Sequence, residues 1–267
     1  MVKQCQIDNL FYTDIIYSIE QFIIVINLRK KTMRDFHYPG RSPVFSQNGM
    51  VATSHPIASK VALETLERGG NAVDAAVAAA LVLPICEPQM TGLYGDMFAL
   101  IKPAGSEKII GLNSSGKSPK HLDPEMLRSQ GLTKIPSNSV HSITLPGAID
   151  GFEKLTADYG KIGLAATCES AIYYAENGVP VAPRVAFDWE QSVDNLSKAS
   201  CHHYLVNGKT PKSGDVFKAP LQADVLRKIA KLGAKGFYEG EVAEDIIQSL
   251  RRMGGVHTMD DMADVSS

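Results

Sequence analysis

The sequence predicts an α+β fold, in which a small strand-containing part is followed by a mostly helical lobe. Two short apolar runs, at residues 97–101 and 108–112, flank a Pro-Ala-Gly-Ser segment at 103–106, a pattern typical of a β-hairpin. From about Ser118 onward, apolar residues recur mainly at helical spacing. The length of 267 residues is enough to bury a sizeable core, so we interpret these parts as one folded unit.

The first two helices are predicted at residues 58–68 and 72–83. Gly69 and Gly70 separate them, because glycine reaches the left-handed conformation that ends a helix without steric cost. Asn71 then has the side chain needed to accept hydrogen bonds at the start of the second helix. The pattern therefore predicts a helical hairpin.

The remaining elements follow from end signals along the chain. An apolar run at residues 50–54 is interpreted as a strand, Asp123 as the cap of a short helix, and Thr258 as the cap of a last turn. Gly160 and Gly178 are predicted to end helices. The longer helices are predicted at residues 146–159, 164–176, 182–196, 220–231 and 240–253.

The N-terminal residues 1–32 are interpreted as an extension outside the fold. The apolar run at residues 22–28 is shorter than the roughly 20 residues that a bilayer requires. Acidic residues precede it and no small-residue cleavage site follows it, so it is a poor signal peptide. Met33 could be the true start, and the folded domain is predicted at residues 33–267. We expect a cytoplasmic location, with a periplasmic or secreted one left open.

Composition excludes several classes of function. Hydrophobic residues make up 44% and charged residues 21%, as in an ordinary soluble protein. The net charge of −2 gives no reason to expect nucleic acid as a partner, and no membrane span is predicted. The four cysteines have neither zinc-ligand spacing nor that of a disulfide framework. We therefore predict no cofactor and no metal site.

Ser54 and His55 could be imagined as a nucleophile and its base. Neighbouring residues of an extended segment point to opposite sides, so these two side chains would not meet. Ser54 as the N-cap of a helix, with Pro56 in its first turn, explains the same residues. We favour the capping interpretation.

Two polar segments near the hairpin are candidates for binding. Residues 92–96 (GLYGD) lack the lysine of a phosphate-binding loop, but a glycine-rich backbone there could approach a substrate closely. Residues 113–119 (NSSGKSP) carry hydroxyls, an amide and a cation that could hold a carboxylate. Each segment can also be interpreted as a polar turn without a ligand.

The order of several motifs resembles the γ-glutamyltransferase (glutathione hydrolase) family. Residues 49–56 (GMVATSHP), 69–76 (GGNAVDAA), Glu87-Pro88 and residues 92–96 occur in the sequence and spacing found at the start of that family. The resemblance continues to the end of the chain, through residues 144–151 (TLPGAIDG), 171–180 (AIYYAENGVP), 237–240 (FYEG) and 254–263 (GGVHTMDDMA).

The resemblance implies an N-terminal-nucleophile hydrolase with a four-layer αββα sandwich, of which this chain would form part, together with a helical lobe. In that family a precursor cleaves itself, and the new N-terminal threonine attacks a γ-glutamyl amide while its own α-amine acts as base. The family's Thr-Thr-His-type start lies downstream of the matched region and has no counterpart here. No catalytic residue is therefore predicted within this chain, and we expect it to be inactive alone.

The resemblance also implies where substrate would bind. The family usually places an arginine, which holds the substrate's α-carboxylate, where this chain has Ser115; Lys117 lies on the same side of an extended strand and could replace it in part. This version of the motif puts glutathione itself in doubt, but not amide hydrolysis or acyl transfer. The predicted substrate-binding residues are Gly95, Asp96, Asn113, Ser114, Ser115 and Lys117.

Two hypotheses of function follow. In the first, the chain is the N-terminal part of an acyltransferase or amide hydrolase, whose partners are a small-subunit-like C-terminal segment with the nucleophile and a γ-glutamyl or related acyl compound. In the second, it is a non-catalytic remnant or binding protein, whose exposed sheet edges would favour oligomers.

Overall fold

A helical hairpin opens the fold of residues 43–197 and 200–267, which are the residues described in the computed structural model. Helix α1 (Pro56–Glu67) is followed by α2 (Ala72–Cys86). Gly69 has a φ of 97°, and the Asn71 side chain accepts from the amides of Val73 and Asp74. The predicted hairpin is confirmed, and α2 continues past Pro84 because the Glu87 amide still bonds to the Leu83 carbonyl.

The segment before α1 differs from its prediction in two ways. Residues 50–54 form no strand, because no neighbouring segment of the described chain offers them a ladder of backbone hydrogen bonds. The N-cap of α1 is His55, not Ser54: the His55 Nδ1 atom accepts from the Ile57 amide at 3.2 Å. The Ser54 hydroxyl donates instead to Glu87, as described below.

An antiparallel hairpin follows, made of β1 (Met97–Ile101) and β2 (Ile110–Ser114). The second strand begins and ends two residues later than predicted, so Asn113 and Ser114 belong to it. Met97 pairs with Ser114 and Phe98 with Asn113. One face of this sheet packs against a helix, and the other leaves Phe98 67% and Leu100 83% exposed.

The rest of the chain is mostly helical, as predicted. Gly160 and Gly178 end helices and Asp123 and Thr258 cap them, all in agreement with the end signals. The elements are α3 (Pro124–Ser129), a 3-10 turn (Val140–Ser142), α4 (Ala148–Tyr159), α5 (Gly163–Asn177), β3 (Val179–Pro180), α6 (Pro183–Ser192), a second 3-10 turn (Val193–Asn195), α7 (Cys201–Tyr204), β4 (Val216–Phe217), α8 (Pro220–Leu232), α9 (Lys235–Tyr238), α10 (Gly240–Arg252) and α11 (Met259–Ala263).

The core lies among the helices. Helix α2 packs against α1, α4 and α5, and α5 packs against α8 on its other side. Short apolar side chains on α2, such as Ala75, Ala78 and Val82, are fully or almost fully buried and allow this close packing. Helix α4 lies between this core and the β1–β2 sheet. The α+β fold with a helical lobe is therefore confirmed, while the predicted extension at residues 1–32 lies outside the described residues.

Candidate functional site

The predicted binding residues lie together at one end of the hairpin. Gly95 and Asp96 come directly before β1, and Asn113 and Ser114 end β2. Because Met97 pairs with Ser114, the beginning of one strand lies beside the end of the other. The two segments that are far apart in sequence thus share one edge of the sheet.

The side chains of Asn113 and Ser114 point to opposite faces of the β1–β2 sheet. Asn113 pairs with the exposed Phe98 and is itself exposed, whereas Ser114 pairs with the buried Met97 and is only 2% exposed. The Asn113 side-chain oxygen accepts from the Ser115 amide at 3.0 Å, which turns the chain as β2 ends. The open face of the sheet therefore carries Asn113, while Ser114 lies on the buried face.

The other predicted binding residues at this edge differ in exposure. Asp96 and Lys117 are exposed, and Ser115 is half-buried.

Three backbone segments meet at this edge, and two of the three glycines there leave no space for a side chain. The Gly95 carbonyl accepts hydrogen bonds from the amides of Gly147 at 3.1 Å and Ala148 at 3.0 Å. A Cβ on Gly116 would overlap the Leu145 carbonyl, and one on Gly147 would overlap the carbonyl of Ser114. We call this contact of Gly95, Gly116 and Gly147 the glycine junction. It joins both ends of the hairpin to the start of α4.

The buried side of Ser114 faces a polar cluster on α4. Its hydroxyl and the hydroxyl of Ser267 are hydrogen bonded, and Ser267 also donates its amide to the Asp150 carboxylate at 2.7 Å. The Lys154 ammonium lies 3.4 Å from the same carboxylate and donates to the Ser267 carbonyl at 2.5 Å. Ser114 is thus engaged on the helix side of the sheet.

Ser54 and His55 have separate hydrogen-bond partners and do not form a nucleophile–base pair, in agreement with the prediction that their side chains would not meet. The Ser54 hydroxyl donates to the Glu87 carboxylate at 2.6 Å, and His55 Nδ1 accepts from the backbone. His55 is 4% exposed, and among the described residues its Nε2 atom has no partner. Burial lowers the pKa of His55 below its ordinary value, although the nearby Glu87 carboxylate acts in the opposite direction.

No cluster of three or more metal-ligating side chains occurs in the part of the chain that the structure describes. Two surface clefts contain none of the six predicted binding residues. One is lined by residues 137–141, Ile143 and Met253, and the other lies between α8 and the start of α10. Among residues 43–197 and 200–267, no helix has the length and apolar character to cross a bilayer.

Tyr238, which the sequence does not single out, contributes contacts near this site. Tyr238 is buried, and its hydroxyl contacts both Pro146 and Asp150 at the start of α4. In the sequence, residues 237–240 stand out only as one motif of the family resemblance. The signal that could have found it is the absence of any capping side chain before α4, since a helix start needs partners for its amides.

The sequence pattern of the family described as Gamma-glutamyltranspeptidase matches residues 58–267, which is most of the chain. The chain belongs to this family. The match includes the whole hairpin, the glycine junction and the helices around it.

Curated relatives differ in their printed activities. The glutathione hydrolase-like YwrD proenzyme of Bacillus subtilis is 34% identical over 221 residues, covering 82% of this chain and 42% of the relative. The oxamate amidohydrolase proenzyme of Klebsiella pneumoniae is 32% identical over 225 residues, covering 81% of this chain and 42% of the relative. This chain of the γ-glutamyltranspeptidase family thus spans less than half the length of the relatives it matches.

Solved structures agree with the fold. The cephalosporin acylase from Bacillus halodurans has 36% identity and a TM-score of 0.81, covering 88% of this chain and 46% of that structure. The Helicobacter pylori γ-glutamyltranspeptidase has 30% identity and a TM-score of 0.79, covering 84% of this chain and 66% of that one. The resemblance stated from the motifs is therefore confirmed over residues that include the hairpin and the helical lobe.

Proposed function

We propose that this chain is the N-terminal part of an amide hydrolase or acyltransferase that acts on γ-glutamyl or related amides. The main support is that the two segments with the six predicted binding residues meet at one edge of the hairpin, in a chain whose family includes relatives named as glutathione hydrolases and an oxamate amidohydrolase. The chain would bind and orient the acyl group. The attacking threonine would come from the portion of the relatives that it does not match.

That portion would cover the open face of the β1–β2 sheet. Phe98 and Leu100 are largely exposed there, and Ile109 beside them is 62% exposed. Apolar side chains on a sheet face are stabilised when a second layer removes them from water, at about 25 cal/mol per Å² buried. The outer edges of β1 and β2 also carry no partner strand among the described residues. A segment that supplies strands would satisfy both features.

The site favours an acyl group that carries a carboxylate. Lys117 supplies an exposed cation next to the glycine junction, and Asn113 supplies an amide on the open face. A lysine is a point charge and cannot grip a carboxylate with two parallel hydrogen bonds, as an arginine does. The proposal therefore does not restrict the substrate to glutathione. The printed names of the relatives, which include an oxamate amidohydrolase and a cephalosporin acylase, support a wider range of amides.

The reaction would proceed in two steps. The threonine hydroxyl oxygen attacks the amide carbonyl, its proton passes through the threonine's α-amine to the leaving amine, and an ester to the enzyme forms. Water or an acceptor amine then attacks this ester, which releases the acyl product and restores the hydroxyl. In both steps the present chain would hold the acyl group still, which is a substantial part of the rate gain in such reactions.

The test is reconstitution. The downstream coding sequence is read for a segment that starts with a Thr-Thr-His-type motif, and absence of such a segment favours the non-catalytic binding protein. If the segment is present, it is co-expressed with the chain, and the mixture is assayed with γ-glutamyl-p-nitroanilide, oxamate and a cephalosporin. Release of amine by the mixture, and by neither part alone, is the expected result. Activity of this chain alone contradicts the assignment of the nucleophile. Inactivity of the folded mixture on all three amides favours the non-catalytic binding protein instead.

A further inference from the structure

Tyr238, the last residue of α9, connects the helical lobe to the start of α4. Its side chain is 8% exposed, and its ring packs edge-on against Phe237 with a centroid distance of 5.2 Å. Its hydroxyl donates to the Pro146 carbonyl at 2.7 Å and accepts from the Asp150 amide at 3.0 Å. The hydroxyl thus bridges two backbone groups that lie four residues apart.

These contacts replace the cap that α4 lacks. The N-cap residue of α4 is Gly147, which has no side chain to accept from the amides of the first turn. Two remote groups take these amides: the Gly95 carbonyl binds the Gly147 and Ala148 amides, and the Tyr238 hydroxyl binds the Asp150 amide. One helix start therefore holds the candidate site on one side and Tyr238 on the other.

The connection is stiff because the intervening groups are backbone. At the glycine junction, the Gly116 and Gly147 backbones lie too close to Leu145 and Ser114 for even one added carbon atom. A shift of residues 146–150 would therefore be passed to the ends of both strands rather than absorbed by side chains.

We propose that Tyr238 is a positioning residue for the acyl-binding site: its hydroxyl fixes residues 146–150, and these fix Gly95 and Gly116. Tyr238 does not itself contact the substrate in this proposal. The catalytic part of the inference rests on the proposed function, but the mechanical part does not.

The hydroxyl is suited to this task over the whole working range of pH. Burial raises the pKa of Tyr238 well above its ordinary value, although the hydrogen bond from the Asp150 backbone acts in the opposite direction. The group therefore stays a neutral hydroxyl, which can donate to one backbone group and accept from the other at the same time.

The test removes the hydroxyl alone. Tyr238→Phe keeps the ring packing, and Tyr204→Phe is the matched control, because Tyr204 is a half-buried tyrosine that stacks on Phe217 in the helical lobe. Amide hydrogen exchange is measured on the chain. We expect exchange about tenfold faster at Gly147, Ala148 and Asp150 in Tyr238→Phe, since a factor of ten corresponds to a typical hydrogen bond.

The reference for this measurement is the core amides of α2 and α5. If Tyr238→Phe accelerates these core amides as much as those of residues 147–150, or accelerates neither, the positioning role is wrong. Tyr204→Phe should leave residues 147–150 unchanged. This arm gives an answer whether or not the protein is an enzyme.

The second arm uses the reconstituted enzyme. We expect Tyr238→Phe to lower kcat/KM for the acyl donor about tenfold, mainly through KM, while Tyr204→Phe leaves both constants unchanged. If the enzyme is active and Tyr238→Phe changes neither constant although the local exchange is faster, the link to the acyl site is wrong. If the wild-type mixture is inactive, the proposed function fails, and the exchange result still stands.

Discussion

The carboxylate of Asp74 accepts a hydrogen bond from the backbone amide of Lys161 at 2.8 Å, across 87 positions of sequence. Asp74 is fully buried in the first turn of α2, and Lys161 lies in the turn between α4 and α5. The same carboxylate accepts from the amides of Asn71 and Ile162. One side chain thus caps its own helix and holds the turn that joins two others.

Replacement of Asp74 by alanine should therefore destabilise the fold strongly. Three backbone amides lose their acceptor, and buried donors without partners cost about 1–3 kcal/mol each, partly offset where water enters. We expect the free energy of unfolding in urea to fall by about 3 kcal/mol. Asp158→Ala, at an exposed site on α4, should change it by less than about 0.5 kcal/mol. Equal effects of the two variants would contradict the role of Asp74.

The glycine junction predicts that one methyl group added at Gly116 lowers the free energy of unfolding strongly. Gly116 and Gly105 have nearly the same backbone φ, 72° and 73°, but only Gly116 lies against another backbone. Gly105→Ala should lower the free energy of unfolding by about 1 kcal/mol, because alanine disfavours this backbone conformation. Gly116→Ala should lower it by about 3 kcal/mol or more, because the Leu145 segment must also move. Urea unfolding of both variants measures the difference, and similar values would show that the junction is loose.

Lys117 is expected to act on substrate binding rather than on folding. In the reconstituted enzyme, Lys117→Ala should raise KM about tenfold for donors that carry a carboxylate, as expected for the loss of one charge-assisted hydrogen bond. Lys209→Ala, in an exposed turn of the helical lobe, serves as the control. An unchanged KM would remove Lys117 from the site.

A substitution at Leu100 tests whether the open face of the β1–β2 sheet is an interface. Leu100→Ser should lower the yield of the complex with the complementary segment and reduce self-association of the chain alone, because it removes an apolar side chain that is 83% exposed. Leu221→Ser, at a site on α8 that is 59% exposed, should do neither. Size-exclusion chromatography measures both quantities. Equal behaviour of the two variants would argue that this face is not an interface.

The lowered pKa of His55 predicts that the free energy of unfolding depends on pH near neutrality. Its pKa is lowered in the folded state, first by burial and against the effect of Glu87, so the unfolded chain takes up a proton first as the pH falls. The stabilisation is complete above the unfolded pKa of about 6.5 and is lost as the pH falls below it. We expect the free energy of unfolding to decrease between about pH 7 and pH 5.

The variant His55→Asn removes this titration and keeps a capping side chain. Its unfolding free energy should therefore depend less on pH than that of the wild type over the same interval. If His55→Asn and the wild type have the same slope, His55 is not the titrating group.

The helices could be predicted from local signals, and the hairpin only in part. Asn71 and Gly69 determine the turn between α1 and α2 through contacts within a few residues, so the prediction was accurate there. The second strand was placed two residues early, because Ile109 is apolar but exposed and the register depends on pairing with β1. Residues 50–54 look like a strand, but a strand also needs a neighbour.

The assembly of the site depends on distant contacts. The motif order marks two candidate binding segments, whose role in binding stays a prediction, and the structure brings Gly95 and Ser114 to one edge of the sheet. The sequence could not tell that Gly147 lies against Ser114, or that Tyr238 reaches Asp150 from 88 positions away. Such contacts depend on how α4 and α9 pack, and no local periodicity describes that packing.

The glycine junction has a consequence for how the proposed acyl site would distinguish between donors. A floor made of peptide groups keeps its shape whatever side chains surround it, since it has no rotamers that could be exchanged. In the proposed acyl site, a preference among donors would then depend on side chains at the rim, such as those of Asn113 and Lys117, and not on the shape of the floor.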